Sequence, residues 1–172
     1  MIAKPILVIG ATGKTGSRVA SRLEAKGLPV RHGTRHAPIP FDWDAPETWA
    51  AALEGVGSVY VPFFPDLAFP GAVEKVEALC KVAKDAQVGR LVLLSGRGEH
   101  HAKQGEEVVR NSGLDFTLVR SAWFAQNFSE GYLRDPILDG VLPMPGEMVQ
   151  EPIIDIDDIA DAYLQNGGIV GG

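Results

Sequence analysis

Glycines at 10, 13 and 16, set directly after the apolar run PILVI at residues 5–9, leave this chain few ways to begin. The run is too short and too uniformly apolar for an amphipathic helix, so it reads as a strand buried on both faces. GSRVASRLEAKG follows, with Val19, Ala20 and Leu23 at helical spacing and Gly27 as the stop. A strand, a glycine turn and a helix N-terminus make an anion site. Missing side chains let the backbone approach a pyrophosphate, and the helix dipole favours its charge. Gly13-Lys14-Thr15 also matches the end of an ATP-binding P-loop, but that motif needs glycine five positions before Gly13, where this chain has Val8. The loop is too short to wrap a β-phosphate. Gly10, Thr12, Gly13, Lys14, Thr15 and Gly16 are therefore candidate dinucleotide-binding residues.

The alternation continues. LPVRHGTR reads as a second strand, PIPFDW as a third, APETWAAALEGV as a helix, and GSVYVPFF as a strand broken at Pro62. PGAVEKVEALCKVAKDAQV is the longest helix, followed by strand GRLVLLSG, helix AKQGEEVVRNSG and strand LDFTLVRS. Such a series implies an α/β fold: a doubly wound parallel sheet with right-handed crossovers and helices on both faces, a Rossmann dinucleotide-binding domain. After Arg120 the pattern fades into AWFAQNFSEGYLRDPILDGVLPMPGE, aromatic and proline-bearing, which reads as material capping a site. EPIIDIDDIADAYLQN is a short strand feeding a helix, with Asp157 or Asp158 as N-cap, and GGIVGG has little to pack. The expected division is a core over 1–122 and a partial substrate-side or cap segment over 123–172, packed on the same domain.

The length of 172 residues suits one domain with a single substantial core. A net charge of −6 argues against nucleic acid or an anionic membrane as partner. No segment approaches the ~20 apolar residues of a membrane helix, and a cytoplasmic location is expected. The expected partners are a small-molecule substrate and, as an assembly, a homodimer. Cys80, the only cysteine, forms no intramolecular disulfide and no cysteine-based zinc cage, and its helical setting predicts a packed thiol. His32, Glu99, His100 and His101 are too few and too adjacent to predict a metal site. LLSGRG lacks the Gly-x-Ser-x-Gly frame of a hydrolase nucleophile. The aspartates of DIDDIAD read as a helix N-terminus stabilised by its dipole.

Which dinucleotide is favoured follows from the end of the second strand. NAD sites place an acid there, whereas VRHGTRHAP offers Arg31, Thr34 and Arg35 and no carboxylate. NADP(H) is therefore favoured over NAD(H), with Arg35 the better candidate for its 2′-phosphate and Lys14 a second cation. The polar stretch after the strand ending at Ser95 supplies candidate catalytic residues: Ser95, His101 and Lys103, with Glu106 to orient one of them.

With these residues in view, the chain resembles the NmrA-like branch of the atypical short-chain dehydrogenases. VIGATGKTG, VRHGTRHAP, SGLDFTLVRSAWFAQNF and IIDIDDIADAY carry the likeness. GKTGSRVASRL, FDWDAPETW and VYVPFFP look most like the ergot-alkaloid-dehydrogenase group, also called festuclavine-dehydrogenase-like, and its bacterial relatives. The resemblance implies an NADP(H)-dependent oxidoreductase. It puts Asp42 and Trp43 by the adenine, Pro62 and Phe63 by the nicotinamide ribose, and Ser95 beside the nicotinamide. Arg120, Trp123, Phe124 and Asn127 would line the substrate side. Two departures stand out. The usual Tyr-x-x-x-Lys pair is missing, since Tyr60, Tyr132 and Tyr163 are followed four positions on by Phe64, Pro136 and Gly167. Relatives also continue well beyond DIADAY, so the resemblance implies a reduced or incomplete C-terminal substrate lobe. Some members of the branch sense cofactor without catalysis, which keeps a non-catalytic regulator as the second expectation.

Overall fold

The computed structural model describes residues 3–142 and 152–166. Five strands, β1 (Ile6–Ile9), β2 (Val30–Gly33), β3 (Ser58–Val61), β4 (Arg90–Gly96) and β5 (Asp115–Ser121), form one sheet in the order β2-β1-β3-β4-β5. Every pairing is parallel, with Leu7 opposite Val59 and Ser95 opposite Arg120. The helices are α1 (Lys14–Ala25), α2 (Trp49–Leu53), α3 (Ala72–Asp85) and α4 (His100–Arg110). β1 and β3 are buried at all four positions, as apolar runs facing helices on both sides must be.

Strand alternation sorts the core into two halves. Leu7, Ile9, Val59, Val61, Leu91 and Leu93 face α2, α3 and α4. Ile6, Val8, Tyr60 and Val92 face α1 on the other side. Cys80 belongs to the first half, and burial pushes its thiol up to about 11, so it packs as a small apolar group. The sheet reverses direction at β1: the chain leaves it for β2 on one side and returns to β3 on the other. That reversal opens a crevice beyond the carboxyl ends of β1 and β3, where ligands of such sheets bind.

PIPFDW is not a strand. Pro38 and Pro40 cannot donate to a ladder, and the segment instead turns inward, with the Phe41 amide donating to the Thr34 carbonyl at 3.0 Å. Phe41 is buried in an aromatic group, its ring 5.2 Å from Trp43 and 6.0 Å from Trp49. APETWAAALEGV divides into a 3-10 turn at Pro46–Thr48 and α2.

Beyond β5, β6 (Trp123–Phe124) pairs in parallel with β7 (Ile153–Ile154), enclosing α5 (Gln126–Ser129) and α6 (Arg134–Leu138). The last helix, α7 (Ile156–Asn166), returns to α1. Its Ala160, Tyr163 and Leu164 join Ile6, Val8 and Tyr60 in the core, with the Tyr60 and Tyr163 rings 5.2 Å apart, edge to face. Arg22 binds Asp157 at 3.0 Å and Asp161 at 2.5 Å, fastening α1 to α7 from outside. The cap of α7 is Asp155 rather than Asp157 or Asp158. Its carboxylate accepts from the Asp157 amide at 2.8 Å and from the side-chain amide of buried Gln126 at 2.7 Å. The GGIVGG tail, residues 167–172, lies outside the described residues.

Candidate functional site

A cleft of about 1350 Å³ opens along the carboxyl ends of β1, β3 and β4. Gly10 ends β1 at φ +64°, a conformation that side chains disfavour, and its carbonyl accepts from the Gly13 amide at 2.8 Å. A Cβ on Gly16 would lie 2.2 Å from the Gly10 oxygen, so helix and loop touch only because this position has no side chain. α1 then starts at Lys14 with no side-chain cap, leaving its first-turn amides to meet an anion. Gly10, Thr12, Gly13, Lys14 and Thr15 line the cleft, while buried Gly16 stands behind the loop and holds it down.

At the end near β2, Thr34, Arg35, Asp42 and Trp43 line the same cleft. Arg31 does not. Its guanidinium donates to the carbonyls of Ala52 at 2.8 Å and Glu54 at 2.7 Å, satisfying the C-terminus of α2. Lys14 is also turned elsewhere than toward Arg35, donating to the Asn127 side chain at 3.2 Å. Asp44 and Lys75, which the sequence reading left unassigned, line the cleft here and pair at 2.5 Å. Lys75, with Arg35 adding, holds the Asp44 carboxyl below the usual range.

The opposite end gathers Pro62, Phe63 and Ser95 with Trp123, Phe124 and Asn127. Phe64, Asp66, Glu99 and Tyr132 also line it and had no sequence signal beyond their neighbourhood. Burial pushes the Glu99 carboxyl above its ordinary value, and Asp66 adds to the effect. His101 and Lys103 lie on α4, exposed and outside the cleft lining. Glu106 orients neither. It is 2% exposed and takes the Ser95 hydroxyl at 2.7 Å and the Arg120 guanidinium at 2.8 and 2.6 Å. Arg120, assigned to the substrate side, is thus committed to Glu106. Arg120, and behind it Ser95, hold the Glu106 carboxyl below its ordinary range. Tyr60 and Tyr163 are core residues, and burial pushes both phenols up, Tyr163 to about 12. Tyr132 is the one tyrosine in the cleft lining.

Among the described residues no three His, Cys, Asp or Glu side chains could hold a metal ion, and no helix is long and apolar enough to cross a membrane. What the cleft offers is a glycine turn and helix N-terminus in the middle, cations beside aromatic rings at one end, and a buried hydroxyl among aromatics at the other. An extended dinucleotide has this distribution of groups: pyrophosphate, adenosine and nicotinamide.

Comparison with known proteins agrees. A family model described as NAD(P)H-binding matches residues 10–165. An NAD(P)H azoreductase of Xenophilus azovorans is 31% identical over 145 residues, covering 71% of this chain and 49% of that protein. A festuclavine dehydrogenase of Aspergillus fumigatus is 28% identical over 184 residues, covering 90% of this chain and 60% of its own length. The solved triphenylmethane reductase of Citrobacter sp., complexed with NADP(H), superposes with a TM-score of 0.67 at 21% identity, over 97% of this chain and 66% of that one. At that identity the structural likeness speaks for the fold alone. The chain spans about half to two thirds of the length of these proteins.

Proposed function

The chain belongs to the NAD(P)H-binding family, and from that premise we propose that it binds NADP(H) along the cleft as an NmrA-like oxidoreductase. When bound, the cofactor supplies or receives a hydride, exchanged with a small carbonyl, imine or quinone-like substrate. The observation that carries this reading is the Gly10–Gly16 contact, a cradle that any Cβ would fill, at the mouth of an uncapped helix.

In this proposal Gly10, Thr12, Gly13, Lys14 and Thr15 hold the pyrophosphate, and Gly16 keeps the loop low enough for them to do so. Thr34 and Arg35 take the 2′-phosphate, with Asp42 and Trp43 beside the adenine and Pro62 and Phe63 beside the nicotinamide ribose. Trp123, Phe124 and Asn127 wall the substrate end and exclude water from the transferring carbon. Residues 1–122 serve as cofactor core and 123–172 as the substrate-side segment. Azoreductase and festuclavine dehydrogenase, both redox enzymes by name, support the reaction class. A cytoplasmic homodimer without nucleic acid completes the proposal, and sedimentation would test the assembly.

Arg35→Ala separates the cofactors. A lost charge-assisted contact should weaken NADPH binding roughly tenfold, while NADH binding changes little. Equal losses for both, measured by titration, would remove the case for 2′-phosphate recognition. NADPH absorbance followed with carbonyl, imine and quinone acceptors tests turnover. A second reading, a non-catalytic NADP(H) sensor, draws support from the missing Tyr-x-x-x-Lys pair and from His101 and Lys103 lying outside the cleft lining. Tight binding with no turnover across the panel would favour it.

A further inference from the structure

Ser95 stands where β4 opens into the cleft, 3% exposed, with Arg120 beside it in register on β5 and Glu106 reaching over from α4. Both carboxylate oxygens of Glu106 are engaged: Oε1 by the Ser95 hydroxyl and Arg120 Nε, Oε2 by Arg120 Nη2. A guanidinium keeps its protons, and a carboxylate gripped by it in two places has only lone pairs to offer. At the contact of 2.7 Å between Ser95 and Glu106, the serine must therefore be the donor. A hydroxyl has one proton and two lone pairs, so what remains of Ser95 is lone pairs.

We propose that Ser95 is a fixed hydrogen-bond acceptor and that the group it meets in the loaded cleft carries an N–H. Two sources have this chemistry: the carboxamide of a nicotinamide cofactor and the nitrogen of a protonated imine or amine substrate. The inference rests on the cofactor reading above. It removes Ser95 from the candidate proton donors, because a ketone or quinone oxygen would meet lone pairs there. Glu106 and Arg120 are positioning residues, setting the polarity of a hydroxyl without touching the ligand.

The test compares NADPH with its 3-acetylpyridine analogue, in which methyl replaces the carboxamide NH2. Affinities for both are measured by calorimetry in the wild type, Ser95→Ala and Glu106→Gln. If the carboxamide is the partner, the wild type prefers NADPH and Ser95→Ala reduces that preference roughly fivefold to tenfold. The affinity for the analogue should hardly move, which also shows that the cleft is intact. Glu106→Gln should reduce the preference too, since its amide can donate to Ser95 and free the serine proton; where that variant fails to fold, Ser95→Ala decides. If a substrate nitrogen is the partner, the cofactor preference stays, and Ser95→Ala instead lowers the ratio of imine to ketone turnover. Both ratios unchanged in Ser95→Ala, with NADPH still bound, would overturn this inference alone. Failure of the wild type to bind NADPH or NADH would overturn the cofactor reading and this inference with it.

Discussion

Replacing Gly16 by alanine will remove most of the cofactor affinity of this protein and a measurable part of its stability. The added Cβ would sit 2.2 Å from the Gly10 oxygen and 2.7 Å from its carbonyl carbon, and both atoms are backbone. No side-chain rotation relieves such a contact. Either α1 lifts from the loop, or Gly10 leaves the conformation at φ +64° that turns the chain out of β1. Overpacking of a tight interior costs about 1–3 kcal/mol, and a backbone clash belongs at the upper end of that range. Binding suffers more, because loop amides displaced by an ångström no longer converge on the pyrophosphate, and losing two hydrogen bonds to a charged group at about 1.5 kcal/mol each lowers affinity about a hundredfold. Thermal unfolding and NADPH titration report the two effects. Gly27→Ala, at φ +71° with nothing within 4 Å, is the control for a glycine lost outside the cleft lining. Normal NADPH affinity in Gly16→Ala would mean that the loop does not hold the cofactor.

The second large effect is expected at Glu106. Removing one member of a buried ion pair costs about 3–5 kcal/mol when the partner stays buried. Here the Arg120 side chain is 51% exposed and can turn to water, so Glu106→Ala should lose about 2–3 kcal/mol, most of it from the unmade bonds of Ser95 and the emptied space. The pH dependence has a definite sign. The folded-state pKa of Glu106 is lowered, chiefly by its hydrogen bonds to Arg120. Its contribution is therefore complete above the unfolded value, near 4.3, and is lost as pH falls through the folded value. Chemical denaturation of wild type and variant between pH 7 and pH 3 should give curves that are furthest apart at neutral pH and draw closer in acid, the packing part of the difference remaining. A constant separation over that range would show that Glu106 acts through packing and not through its charge.

These two sites differ in how far the sequence could reach them. The glycine rhythm is local: three positions within one turn, bracketed by a strand and a helix whose periodicities are also local. The same holds for β1, β3 and β4, whose apolar runs determine both faces of the sheet, and for the absence of an acid after β2. That was enough for the fold, for a glycine turn between β1 and α1 and for NAD(P)H, without a choice between the two, as the cofactor class. PIPFDW misled because its apolar residues match a strand, while Pro38 and Pro40 deny it a ladder and the aromatic pocket beneath accepts Phe41.

Partner choice among the charged residues was decided only by the tertiary structure. The residue types announced cations and acids but not the long-range pairings, because these join elements brought together by the fold. Lys14 meets Asn127, 113 positions away; Arg22 meets Asp161, 139 away; Lys75 meets Asp44, 31 away. Arg31 looked available for a phosphate and instead closes α2. Glu106 looked like an orienting partner for His101 or Lys103, yet it is buried and bonds Ser95 and Arg120, while both of those side chains are exposed. Apolar periodicity is set along the chain and is written in the sequence. The direction in which a hydroxyl points its proton depends on which distant side chains surround it, and only the folded chain supplies them.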